Sequence, residues 1–220
     1  MTTQQMLRTS HGMRVVNKPM RPRHPQDYYP TPLELCVEAL RTAHFCTPLR
    51  KRMTILDPGC GTGVWGQAAR IVWPDCWLVG IDIDPDRLAL AEDTGVYGEL
   101  IQSRFSAVTM VPSFDLVIGN PPYSEAEMFI KRAVGMLSDR ARPGSVLFLL
   151  RLAFAESQRR YKQMYSNGLK PFRIASLVER PSFTGDGKTD ATAYALFEWC
   201  PKLTDNLTEF EWLSWRNKEQ

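Results

Sequence analysis

The chain of 220 residues lacks most of what would tie it to a metal, a membrane or an oxidising compartment. Its five cysteines, Cys36, Cys46, Cys60, Cys76 and Cys200, are odd in number and widely spaced, with no Cys-x-x-Cys pair. That spacing predicts reduced core or loop thiols, neither a disulfide framework nor a zinc site, and no metal is expected. No apolar run approaches the length of a membrane span, and the polar residues after Met6 do not form the apolar core of a signal peptide. A soluble, cytoplasmic protein without membrane contact is the expectation. Internal repeats and low-complexity segments are missing too, so one domain with extensions is the default at this length. Acidic residues are absent from residues 1–26, which carry Arg8, Arg14, Lys18, Arg21 and Arg23. The net charge of +3 therefore sits in this segment, and the remainder is net acidic. Such a stretch reads as a flexible basic arm, either laid along a phosphate backbone or simply solvated.

What is present begins at Asp27. Tyr28-Tyr29-Pro30-Thr31-Pro32 leads into Leu33, Leu35, Cys36, Val37, Ala39 and Leu40, a pattern that fits a helix entered through proline. Apolar runs predict strands at 53–57, 77–82, 99–102, 114–119, 145–150, 172–178 and 191–199. Helical patterns lie near 64–72, 85–92, 125–138 and 155–166. This alternation implies a parallel sheet covered by helices, with ligands at the carboxyl ends of the strands. The last two strands have no helix between them and should form an antiparallel pair at one side. The stretch 201–220 is a C-terminal extension in which Phe210, Trp212, Leu213 and Trp215 fit either a short amphipathic helix or an added strand.

Asp57-Pro58-Gly59-Cys60-Gly61-Thr62-Gly63 falls between a predicted strand and a helix, where glycines let a ligand approach backbone. The spacing differs from Gly-x-Gly-x-x-Gly, and Asp57 would repel a pyrophosphate, so a cationic cofactor suits the turn better. A second acidic strand end follows in Gly80-Ile81-Asp82-Ile83-Asp84-Pro85. Asp82 is placed to hold two ribose hydroxyls, with Ile83 beside it in the same site, while Asp84 caps the next helix ahead of Pro85.

The run Phe114-Asp115-Leu116-Val117-Ile118-Gly119 ends in Asn120-Pro121-Pro122-Tyr123. The prolines cannot donate backbone hydrogen bonds, so the strand must stop with carbonyls pointing outward. Asn120 adds an acceptor and Tyr123 a flat ring, which together suit a planar group bearing an exocyclic NH2; a plain strand-ending turn is the other reading.

Taken in order, the Tyr29-Pro30-Thr31-Pro32 element, the glycine turn, the acidic strand end and Asn-Pro-Pro-Tyr resemble the class I amino-methyltransferases that act on adenine N6, over roughly residues 27–200. The resemblance is to compact DNA adenine-N6 methyltransferases of bacteriophages and their hosts. It implies a Rossmann-like fold with a seven-stranded, mostly parallel sheet and an antiparallel edge pair. It also implies S-adenosylmethionine as cofactor, with Tyr29, Thr31, Pro32, Asp57, Gly59, Gly61, Gly63, Asp82 and Ile83 around it. Asn120, Pro121, Pro122 and Tyr123 would be catalytic, with Tyr123, Phe183 and Arg180 facing the substrate. Phe183 would lie opposite Tyr123 across the base, or be a packed hairpin residue. At the third strand end these families carry an acidic or amide residue towards the adenine ring of the cofactor, whereas Arg104 stands here and cannot accept amino hydrogens. The implied partner is nucleic acid, DNA first. The same chemistry also serves an RNA adenine or a glutamine amide of a protein, and an inactive cofactor-binding module is the reading from another class. Cytosine C5 chemistry is disfavoured, because no Pro-Cys nucleophile follows a strand.

Overall fold

A computed structural model describes residues 4–9, 12–17, 31–45, 52–109, 113–138, 144–183, 192–201 and 207–216. The strands are β1 (Gln4–Thr9), β2 (Gly12–Asn17), β3 (Thr54–Pro58), β4 (Trp77–Asp82), β5 (Glu99–Gln102), β6 (Leu116–Gly119), β7 (Ser145–Arg151), β8 (Arg173–Leu177), β9 (Tyr194–Trp199) and β10 (Glu209–Leu213). The helices are α1 (Leu33–Thr42), α2 (Val64–Val72), α3 (Pro85–Asp93), α4 (Ala126–Met136) and α5 (Gln158–Gln163). Strands β3 to β10 form one eight-stranded sheet in the order β10-β8-β9-β7-β6-β3-β4-β5. All neighbours run parallel except β9, which is antiparallel to both β7 and β8.

Both faces of the sheet are covered at its centre, so β6 and β7 are buried along nearly their whole length rather than alternating with exposed polar residues. Ile55, Leu78, Leu116, Ile118, Leu147 and Leu149 pack with Leu35 and Ala39 of α1 and with Trp65 and Ala68 of α2. Leu56, Ile81, Val117, Phe148 and Leu150 join Phe129, Ile130 and Ala133 of α4 on the other face. Chain order runs outward from β3 through β4 to β5, then returns to β6 on the opposite flank of β3. The strand order reverses between β3 and β6, and the crevice outside the carboxyl ends at such a switch point is where sheets of this kind hold ligands.

Two expectations need correction. The sheet has eight strands, not seven: β10 lies parallel to β8, so the antiparallel pair sits inside that edge. Its alternation Glu209-Phe210-Glu211-Trp212-Leu213 is a strand period, which decides between the two readings of the extension. Within residues 1–26 two segments have extended backbone. β1 and β2 pair as a two-stranded antiparallel ribbon, from Gln4 against Asn17 to Thr9 against Gly12. Val15 and Val16 supply β-branched residues there, a local preference that overall composition hides. Among the cysteines, Cys36, Cys60 and Cys76 are free and buried as expected, but Cys200 is disulfide-bonded.

Candidate active site

Asp57 is the penultimate residue of β3, and the turn that follows takes a left-handed conformation at Gly59, Gly61 and Gly63, with φ of 73°, 55° and 86°. L side chains are strained there, which is why glycine recurs at every second position. Asp82 of β4 holds the turn from the side: Gly61 N–H donates to its Oδ2 at 2.8 Å, and Asp84 N–H to its Oδ1 at 3.0 Å. Each carboxylate oxygen keeps further acceptor capacity, so these contacts leave room for a ligand's hydroxyls. Asp84 caps α3 as expected, accepting from the N–H groups of Asp86 and Arg87 at 3.0 and 3.3 Å. Ile83, between the two aspartates, is an apolar side chain 45% exposed.

Asp57 itself is fully buried. Tyr97 donates its hydroxyl to Asp57 Oδ2 at 2.7 Å, while Oδ1 is buried with no hydrogen-bond partner among the described residues. That second oxygen points towards the end of β6, 3.2 Å from where a β-carbon on Gly119 would sit. Desolvation pushes the carboxyl up to about 7; the Tyr97 hydrogen bond pulls the other way and the nearby Asp82 charge adds to the rise. Sequence reasoning missed Tyr97. The signal was there in Gly66 and Gly80, where an added β-carbon would meet the Tyr97 ring at 2.4 and 2.9 Å, so these glycines clear the slot that delivers its hydroxyl to Asp57.

Across the crevice, Asn120 follows β6 directly. Its Nδ2 donates to the hydroxyl of buried Thr31 at 3.1 Å, which turns the amide so that Oδ1 faces away from Thr31. Pro32 is the N-cap of α1, one residue earlier than the first-turn position expected, and its carbonyl receives Cys36 N–H at 3.2 Å. Pro121 is buried and Pro122 half-buried, and the Pro122 carbonyl accepts from Glu125 N–H at 2.9 Å. Tyr29 lies outside the described residues, as does the loop 184–191.

Tyr123 is half-buried and meets Tyr194 and Arg151, neither of which the sequence brought to it. The Tyr194 ring lies 5.9 Å from it at 42°, and the Arg151 guanidinium carbon 4.9 Å from its centroid. Phe183 is buried edge-on against Tyr194 at 5.0 Å, which is the packed alternative, and it reaches Tyr123 through Tyr194. Arg180 is exposed on the segment leading to Phe183. Arg104 is exposed beyond β5, where its carbonyl accepts from Ala107 N–H at 2.9 Å in a short 3-10 turn. Beside it Ser103 N–H donates to the Asp82 carbonyl at 2.9 Å, so the backbone of this third strand end is tied to the second.

Residues 49–123, from just ahead of β3 to Tyr123, match a family described as a methyltransferase domain. Over 69 residues the chain is 42% identical to the type II methyltransferase M.CvrRI of Paramecium bursaria Chlorella virus XZ-6E, covering 31% of this chain and 18% of that protein. It is 31% identical over 108 residues to ribosomal RNA small subunit methyltransferase C of Buchnera aphidicola, covering 43% and 33%. Release factor glutamine methyltransferase of Salmonella typhimurium is 34% identical over 82 residues, covering 35% and 30%. The chain thus spans a third or less of the length of these curated relatives. A solved structure from Listeria monocytogenes, described as a class I S-adenosylmethionine-dependent methyltransferase, superposes with a TM-score of 0.65 at 16% identity, covering 86% of this chain and 67% of that one. The architecture is the Rossmann-like fold of that structure, and residues 49–123 are similar to a methyltransferase domain.

Proposed function

We propose that this protein transfers a methyl group from S-adenosylmethionine to the exocyclic N6 amine of adenine in DNA. The residues present fit that cofactor. The left-handed glycines open the backbone, Asp82 retains acceptor capacity for a ribose, exposed Ile83 suits an adenine face, and the unpartnered Asp57 Oδ1 awaits positive charge. Bound there, the cofactor supplies an electrophilic methyl on a sulfonium, and no metal or covalent enzyme intermediate is needed.

The observation that carries the substrate reading is the fixed amide of Asn120 at the end of β6, across the switch point from Asp57 and followed by Pro121-Pro122-Tyr123. Adenine N6 is a weak nucleophile because its lone pair is conjugated into the ring. Asn120 Oδ1 and the Pro121 carbonyl would accept its two hydrogens, favour a pyramidal nitrogen and stabilise the positive charge that grows on it. Thr31 keeps the amide in the accepting orientation. Tyr123 would stack on a base taken out of its helix, as chemistry on a nucleobase requires. Related stretches in proteins named for ribosomal RNA and for a release-factor glutamine keep two other amine substrates in the test. Tritiated methyl transfer to duplex DNA, structured RNA and protein, measured in parallel, decides it: label on adenine of DNA is the expected result, and label only on RNA or on glutamine would replace the reading.

A further inference from the structure

Arg151 has no part in the chemistry above, yet it lies against the residue on which the base would rest. It is the last residue of β7 and stands directly opposite Tyr194 in the antiparallel register with β9, so the two side chains leave the same face of the sheet. Its guanidinium carbon is 4.9 Å from the centroid of Tyr123, whose ring also meets Tyr194 at 5.9 Å. One face of Tyr123 is therefore covered by a flat cation. A guanidinium plane and a purine compete for such a face, and nucleobase stacking is the stronger of the two contacts. The displaced guanidinium presents a planar fork of donors that matches a phosphate. A nucleotide turned out of its helix brings a phosphate with it, whereas a glutamine side chain brings none.

We propose that Arg151 is a positioning residue of the target-nucleotide subsite: it covers the stacking face of Tyr123 while the site is empty and moves to the phosphate of the target nucleotide when the base takes that face. This rests on the nucleic-acid reading above and extends it from the base to its backbone. The test compares wild type, R151A and R151K in three measurements: the salt dependence of binding to duplex DNA with cofactor present, KM and kcat for DNA, and cofactor affinity by calorimetry. R151A should lower the log–log salt slope by about 0.9, the value of one phosphate contact. It should also raise KM for DNA by about ten-fold, the scale of one charge-assisted hydrogen bond, with cofactor affinity unchanged. R151K, which keeps the charge, should restore the slope. An R151A protein with wild-type slope and KM overturns the proposal while leaving the nucleic-acid reading intact. Loss of cofactor binding in R151A, or failure of R151K to restore the slope, also overturns it, since either result assigns Arg151 to packing. Wild-type methylation confined to protein would sink the underlying reading first, and is seen without any variant.

Discussion

Asp57 and Asp82 lie in the last two residues of neighbouring strands, yet their surroundings set them opposite tasks. Asp82 already holds the glycine turn through Gly61 and its own turn through Asp84, so the ligand contact proposed for it adds to a carboxylate that is oriented beforehand. Asp82→Ala should weaken S-adenosylmethionine binding by about 1–3 kcal/mol as its charge-assisted hydrogen bonds disappear, and calorimetry on the folded variant is the measurement. Unchanged affinity would remove Asp82 from the site. Asp57 is strained electrostatically. Its folded carboxyl is raised to about 7 from 3.8, so the folded state holds a proton that the unfolded state has lost across that interval. Stability from this group is complete below the lower value and is lost as pH rises through about 7. Thermal or urea melts of the cofactor-free protein should show wild type losing about 1.4 kcal/mol more between pH 6 and pH 8 than Asp57→Asn does. Saturating cofactor should flatten the difference, because a cation beside Oδ1 favours the ionised form. Equal pH profiles for the two proteins would show that Asp57 is not the proton holder. Asn120→Ala should behave differently from both. The methyl-transfer rate should drop by roughly two orders of magnitude with cofactor affinity nearly intact, since the missing acceptor acts on the transition state. Equal loss of cofactor binding would make Asn120 structural.

Among the elements, those with a buried apolar period were legible and those decided by distant partners were not. Asp57, Asp82 and Asn120 each lie at the end of a continuous apolar run, so the strands, the turn chemistry and the candidate site could be read together from local pattern. β10 alternates aromatic and acidic residues and leaves Phe210 and Trp212 exposed, so only its pairing with β8 identifies it as part of the sheet. Tyr97, Tyr194 and Arg151 were missed because ring contacts and glycine slots join residues far apart in sequence. The same holds for the charge pair beneath the edge of the sheet. Arg173 of β8 and Glu198 of β9 are both fully buried and bonded to each other, and Arg173 reaches Glu211 of β10 through its Nε at 2.8 Å. Glu198 also accepts from the backbone N–H of His44, past the end of α1, at 3.0 Å. Burial still outweighs the pull of Arg173 and pushes the Glu198 carboxyl up. Removing one partner leaves the other buried and uncompensated, so Glu198→Ala should cost about 3–5 kcal/mol in urea unfolding, whereas Arg173→Met with Glu198→Leu should recover most of it. A single variant as stable as wild type would show that water reaches the pair.

At the scale of the whole molecule the two functions proposed, holding a cofactor and holding a polyanion, fall in different parts of the chain. The glycine turn, Asp82 and the tetrad all lie within the matched stretch 49–123, whereas Arg151, Arg180 and Phe183 come after it and the basic segment precedes it. Residues 1–26 carry five arginines and lysines with no acidic residue, against a net acidic remainder, so whatever grip the protein has on phosphates beyond the site should reside there. β1 and β2 give part of this segment a paired backbone of its own, in a sheet separate from the eight-stranded one. Removing residues 1–26 should therefore leave cofactor binding unchanged while it weakens DNA binding and flattens its salt dependence, by about 0.9 in log–log slope for each phosphate no longer neutralised. The base that is methylated should stay the same, because backbone contacts position without specifying. Binding isotherms of the full-length and shortened proteins on one duplex, between about 50 and 200 mM salt, supply both quantities. Identical slopes would show the basic segment to be solvated, and the polyanion grip would then fall to Arg151 and the rim around Tyr123 alone.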